Sequence, residues 1–153
     1  MRIVLQRVTE ASVRAEGREI AHIGRGLLLL VGIGKGDSGE ELGFWSRKIP
    51  ELRVFPDEAG RMNRSLRDAG GEILCVSQFT LYGDATQGRR PGFDRAAPGP
   101  EAARLYERFL GLLREEGCAV HSGVFGARME VSLVNDGPVT LILERPPAQL
   151  GHT

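Results

Sequence analysis

The 153-residue chain is poor in the residues that most often carry chemistry. It holds two cysteines, three histidines and one tryptophan. Cys75 and Cys118 lie far apart inside apolar segments, without metal-ligand spacing. They read as free thiols of a cytosolic protein rather than a disulfide. His22, His121 and His152 are scattered, and none falls near a serine or cysteine in a nucleophile context. HExxH, G-x-S-x-G and P-loop motifs are missing, and no His/Cys/carboxylate cluster predicts a metal. No cofactor is expected. Charge of either sign is not in excess either: twenty basic residues balance twenty acidic ones. That balance argues against a protein that coats long nucleic acid, whose affinity rests on many phosphate contacts. It leaves room for a short, local contact with RNA. Long apolar runs are lacking too. The longest, LLLLVGI at 27 to 33, is strand-length, against the ~20 residues a membrane helix needs. The N-terminal MRIVLQRV has no signal-peptide pattern and reads as a first strand. The expected location is the cytoplasm, with no membrane partner.

Glycine is what the chain has in plenty, 21 residues, roughly twice the usual share. With no repeat period, these glycines imply many tight turns between short strands. MRIVLQRV, EASVRAEG and REIAHIG predict an opening antiparallel hairpin. GLLLLVGIG predicts a central strand buried on both faces. Ser38 and Glu41 fit a capping box, followed by Leu42, Trp45 and Ile49 at helical spacing, with Pro50 ending or kinking that helix. GIGKGDSG at 32 to 39 joins this strand to this helix as a phosphate loop would, but a plain turn is the better reading without Walker spacing. LRVF predicts a short strand, RMNRSLRDAGG a polar connection or small hairpin, and EILCVSQFTLY a further strand. GDATQGRRPGFDRAAPGP is a long Gly-, Pro- and Arg-rich loop, a length that is usually functional or mobile. Ala102, Leu105, Tyr106, Phe109 and Leu113 form one apolar stripe, so EAARLYERFLGLLREEG predicts a helix stopped by Gly117. CAVHSGVFG, ARMEVSLVND and GPVTLILE read as closing strands. The expectation is one α+β domain over residues 1–153, a curved, mostly antiparallel sheet or partial barrel with two main helices. The last eight or so residues read as a loose tail.

Two polar stretches stand out. Ser77, Gln78 and Thr80 close a strand that otherwise belongs in the core. A threonine hydroxyl is nearly inert unless a base takes its proton, and no base is evident. These groups therefore either position a substrate, frame main-chain oxyanion donors, or bond the strand's own edge. In VNDGPVT, residues 134 to 140, Gly137-Pro138 between two apolar runs would ordinarily be a hairpin turn.

Together, SQFTLYGD, GRRPGF, GVFGARM and NDGPVT resemble the D-aminoacyl-tRNA deacylases, whose signature is the SQxT and NxGPxT pair. Both motifs stand intact and in order, and the resemblance runs from MRIVLQRV to VTLILE. Pro50, and Gly83 where alanine is common, depart from the pattern. The resemblance implies a homodimeric tRNA-editing hydrolase. It would cleave the ester joining a D-amino acid, or mischarged glycine, to the 3′-terminal adenosine of tRNA. Ser77, Gln78, Phe79 and Thr80 would line the substrate pocket, with Thr80 as nucleophile, binder or brace. Gly137 and Pro138 match a Gly–cis-Pro pair that reaches into the partner's pocket and leaves no room for an L side chain. Phe125 and Met129 match positions near the terminal adenine. Arg89 and Arg90 are candidates for acceptor-end phosphates, which suit the forked guanidinium. A non-catalytic nucleic-acid-end-binding module and a small-metabolite esterase are the alternative functions.

Overall fold

A computed structural model describes residues 1–147; the expected loose tail falls largely outside the described residues. Strand β1 (Arg2–Ala15) is the spine of the fold. Along one edge it pairs antiparallel with β2 (Arg18–Ile23) through its second half and with β3 (Gly26–Gly32) through its first. The turn into β2 uses Glu16 and Gly17 at positive φ. Helix α1 (Gly39–Lys48) follows with the capping box in place: Ser38 accepts from the backbone while the Glu41 carboxylate accepts from Ser38 N at 2.7 Å. Such a cap typically stabilises a helix by about 1 kcal/mol. Pro50 sits in the 3-10 turn Ile49–Glu51 that ends the helix. The GIGKGDSG segment is a turn, not an anion cradle. Its centre is filled by Asp37, which accepts from Gly34 N at 2.6 Å and from the α-amine of Met1 at 2.7 Å. Burial raises the Asp37 carboxyl, while the amine and the Gly34 N–H oppose that rise.

The polar connection is more ordered than its composition predicts. Strands β4 (Phe55–Pro56) and β5 (Met62–Arg64) form a small hairpin, and α2 (Leu66–Ala69) is a single capped turn. Of the strand expected at LRVF, only the last residue, Phe55, is strand. Strand β6 (Glu72–Ser77) then enters parallel to β3, and helix α3 (Gly99–Glu115) packs across the sheet. The whole predicted apolar stripe of α3 is buried, and Gly117 leaves it at φ +87°. Strand β7 (Val120–Ser122) adds parallel to β6.

The last strand differs from expectation. ARMEVSLVND and GPVTLILE are not two strands around a hairpin but one, β8 (Glu130–Glu144), antiparallel to β1 along nearly its whole length. The fold is the expected α+β domain, with a nearly closed mixed sheet. Its two faces serve different cores. Leu27, Leu29, Val31, Ile73 and Cys75 face α1 and α3, where Trp45, Tyr106, Phe109 and Leu113 complete one cluster. Leu28, Leu74 and Val76 join Val8, Val13 and Ile23 in a second cluster on the other face. Strand β3 is buried on both faces, as its unbroken apolar run predicts. None of the described helices is long and apolar enough to cross a membrane.

Candidate active site

Strand β6 stops where its sequence turns polar. Gln78 N still donates to Val31 O, at 2.8 Å, and the chain then tightens into a 3-10 turn, Phe79–Tyr82. SQFT is therefore not strand throughout: Ser77 ends β6, and Phe79 and Thr80 begin the turn. Gln78 O accepts from Leu81 N and Thr80 O from Gly83 N, so Leu81 N is the turn's first internal donor. The N–H groups of Phe79 and Thr80 lie ahead of it, where a tight turn leaves its amides unused by its own ladder. The Gln78 side-chain amide donates to Thr80 Oγ1. Because that oxygen already accepts a proton, its own O–H is left to donate outward.

Arg2 braces the turn from outside: one guanidinium nitrogen donates to Leu81 O at 2.6 Å, another to Glu144 at 2.7 Å, and its plane lies 4.8 Å from the centre of the Tyr82 ring. Ser77 and Phe79 stand at the rim of a cavity of about 290 Å³. Its walls are Val31 of β3 and Ile33 just after it, Ala97 just before α3, Ala102 and Tyr106 of α3, and Phe125 with Gly126. Tyr106 is fixed there by donating to Cys75 O at 3.1 Å. Cys75, two residues before Ser77, is no nucleophile: complete burial drives its thiol far above the usual range. Among the described residues no group of three or more His, Cys, Asp or Glu gathers to hold a metal.

The second motif lies elsewhere. Gln6 pairs with Thr140 and Val8 with Asn135, so the four residues Asp136 to Val139 oppose the single Arg7. This wide bulge holds Gly137-Pro138, joined by a cis bond. Asn135 bridges it, accepting from Val139 N at 2.9 Å and donating to Thr140 Oγ1 at 3.0 Å. Beneath it lies Arg7, only 8% exposed, which donates to Val54 O at 2.6 Å and Asp136 O at 3.1 Å. Arg7, Asn135 and Arg2 are absent from the sequence-based site list. Asn135 stands within the NDGPVT signature itself, so its signal was available; nothing in the letters marks either arginine. Gly137 has φ +130°, and a Cβ there would stand 2.9 Å from the Arg7 guanidinium and from Val139.

The structure does not bring the two motifs together within one chain. Ser77 is opposite Val31, which is opposite Ile3, which is opposite Leu143; Gly137-Pro138 is beside Arg7. Three strand spacings and a four-residue offset along β1 separate them, roughly 20 Å across the sheet. Phe125 and Met129 are divided too. Phe125 lines the cavity beside Ser77. Met129 lies on the far side of the same loop, in a groove of about 800 Å³ with Arg14, Arg18 and Arg128, its sulfur against Gly123. Arg89 and Arg90 are exposed on the loop that follows the turn.

The architecture places the protein in a known fold. A structure described as a probable eukaryotic D-amino acid tRNA deacylase superposes with a TM-score of 0.79, at 21% identity, covering 93% of this chain and 97% of its own. At this identity the likeness concerns the fold alone.

Sequence comparison defines the family. Residues 4–144 match the model of D-Tyr-tRNA(Tyr) deacylase. The D-aminoacyl-tRNA deacylase of Chlorobaculum tepidum is 60% identical over 95% of this chain and 98% of its own length. That of Exiguobacterium sibiricum is 57% identical over 95% and 100%. A solved structure described as c-Myc DNA unwinding element binding protein is 46% identical, with a TM-score of 0.89 over 95% and 99%. The chain belongs to the D-aminoacyl-tRNA deacylase family and is a hydrolase.

Proposed function

We propose that this protein hydrolyses the ester between a D-amino acid and the 3′-terminal adenosine of tRNA, as its relatives' name describes, in the cytoplasm and as a homodimer. The carrying observation is the polar stretch from Ser77 to Thr80, whose Ser77 and Phe79 line an apolar cavity, with no general base bonded to Thr80 among the described residues. An ester is already an activated bond, so orientation and charge stabilisation can supply much of the rate. In this reading the N–H groups of Phe79 and Thr80 face the developing oxyanion. The outward O–H of Thr80, aimed by Gln78, holds the substrate or the attacking water. The terminal adenosine enters the cavity beside Phe125.

Gly137 and Pro138 act on the neighbouring subunit's pocket, as the distance between the motifs within one chain favours. Strand β8 supports this: among the described residues it pairs only with β1, which leaves its other edge free, and Val134 and Ile142 are 49% and 73% exposed. Long bare edges invite a partner. The Gly-Pro backbone rejects a substrate by colliding with an L side chain, so glycine, which has none, passes with the D-amino acids. Mischarged glycyl-tRNA is accordingly a second substrate.

The direct test sets D-tyrosyl-tRNA beside L-tyrosyl-tRNA with purified protein. The D ester should be cleaved and the L ester left intact. Equal cleavage of both, or of neither, would end this reading. The 46% identity to a structure described as a DNA-binding protein favours one rival, a nucleic-acid-end-binding module. That rival predicts tight binding to DNA ends without turnover, which a zero net charge does not favour.

A further inference from the structure

The rim of the cavity carries more aromatic surface than a terminal nucleoside uses. Phe79 is 56% exposed and Phe93 36%. Their rings meet edge-to-face, with centroids 5.1 Å apart and planes at 66°. Side chains this apolar are costly to leave in water, so an adjacent exposed pair marks a contact surface. Phe93 is also held in place without any ligand. Asp84 and Gly92 close the neck of its loop with reciprocal backbone bonds of 2.8 and 2.9 Å, and Ala96 N donates to Phe93 O at 3.1 Å. Gly83 makes the approach possible: a Cβ there would stand 3.1 Å from the Phe93 ring and 3.0 Å from Thr80 O. Beyond the neck the loop exposes Arg89 and Arg90. The acid at the neck, Asp84, is engaged by the amide and hydroxyl of Thr86 at 2.9 and 2.6 Å.

We propose that Phe93, backed by Phe79, is a stacking platform for the base of the penultimate nucleotide, with Arg89 and Arg90 taking the phosphates beside it. The proposal rests on the deacylase reading and extends it by one nucleotide. A cavity of about 290 Å³ accommodates one nucleoside, so the strand attached to it must leave over the rim that Phe79 forms. Single-stranded RNA is gripped by aromatic faces under splayed bases and by cations along its phosphates. Those two elements occur here in one pinned loop. The charge at the loop tip favours a nucleic acid over an apolar protein surface. The nucleotide before the terminal adenosine is a cytidine in every tRNA, so such a platform grips the acceptor end without regard to tRNA identity.

Three esters test this: D-tyrosyl-adenosine, D-tyrosyl-CpA, and a CpA ester lacking the cytosine base. A stacked base adds to binding, so the wild-type KM should be roughly tenfold lower for the CpA ester than for the baseless ester, which keeps the phosphate and should fall between the other two. Phe93→Ala should erase that gain with kcat little changed, and Phe93→Trp should keep it. A gain over the baseless ester that survives Phe93→Ala, or no gain over the baseless ester at all, overturns the platform. Equal losses on all three esters would make Phe93 a brace for the Thr80 turn. Conversion to monomer in sedimentation would make it a subunit contact. Wild-type protein that cleaves D-tyrosyl-adenosine without any gain from the added nucleotide sinks the platform alone. Failure on all three esters sinks the deacylase reading and the platform with it.

Discussion

Strands β6 and β8 are opposite solutions to carrying a functional motif. β6 has six residues, runs parallel between β3 and β7, and buries Ile73 to Val76 completely or nearly so. Its motif sits at the point where the strand ends, so the core fixes the backbone and the polar groups emerge at a rim. β8 has fifteen residues, buries none of them fully and, among the described residues, is paired on one side only. Its motif interrupts the strand instead of ending it, and side chains from below hold the bulge. The first arrangement holds its polar groups on a rigid backbone. The second projects backbone outward from the sheet.

The largest expected effect comes from making the bulge resemble ordinary strand. Gly137→Ala sets a Cβ against Arg7 and Val139 at a backbone conformation that L residues rarely adopt. Even a 1 Å displacement can cost about 10²-fold in rate, so D-aminoacyl-tRNA cleavage should fall by about that factor. Mixing this variant with Thr80→Ala sharpens the comparison. If the two strands serve one pocket from different chains, each heterodimer formed by verified subunit exchange should regain about one good pocket in two. No recovery after exchange would place both motifs in one chain.

Altering the rim should do less on average. Thr80→Ala removes one positioning hydrogen bond, on the order of 1–3 kcal/mol, so kcat/KM should drop about 5- to 150-fold with the melting temperature unchanged. A folded, fully active variant would remove Thr80 from the site, and an unfolded one would return it to structure. The smallest effect belongs to the exposed arginines. Arg89→Ala with Arg90→Ala should raise KM for aminoacyl-tRNA several-fold and flatten its dependence on salt, because phosphate contacts release counterions. Cleavage of D-tyrosyl-adenosine should hardly change, and equal losses on both would tie the arginines to the pocket itself.

The same contrast explains what the letters disclosed. Local signals are legible: the Ser38–Glu41 box, the α3 stripe and the Gly117 stop each depend on residues within a few positions of one another. β3 was legible because a strand buried twice has no polar face. The continuity of β8 was not, since Gly-Pro ordinarily turns a chain, and only pairing with β1 carries the strand past it. Nor was the change at Phe79 from strand to 3-10 turn, which alternating polarity does not announce. Parallel pairing of β6 with β3 and β7 depends on contacts between distant segments. Of the site, Ser77 to Thr80 and Gly137-Pro138 were marked by motif. Arg7 and Arg2 look like surface charge in sequence, and only the three-dimensional course of β1 shows one of them beneath the bulge and the other under the turn.

β1 is clasped on both edges, by β3 and β2 on one side and β8 on the other, and these neighbours arrive at very different times. During translation β3 begins 11 residues after β1 ends (Gly26 after Ala15), but Glu144, opposite Arg2, follows 142 residues later. Until then the growing chain carries a strand with one unsatisfied side, in the period when nascent proteins are most prone to mispair. Contacts so distant along the chain also slow folding. The protein's own birth therefore includes an interval in which its central strand is open to any passing β-segment.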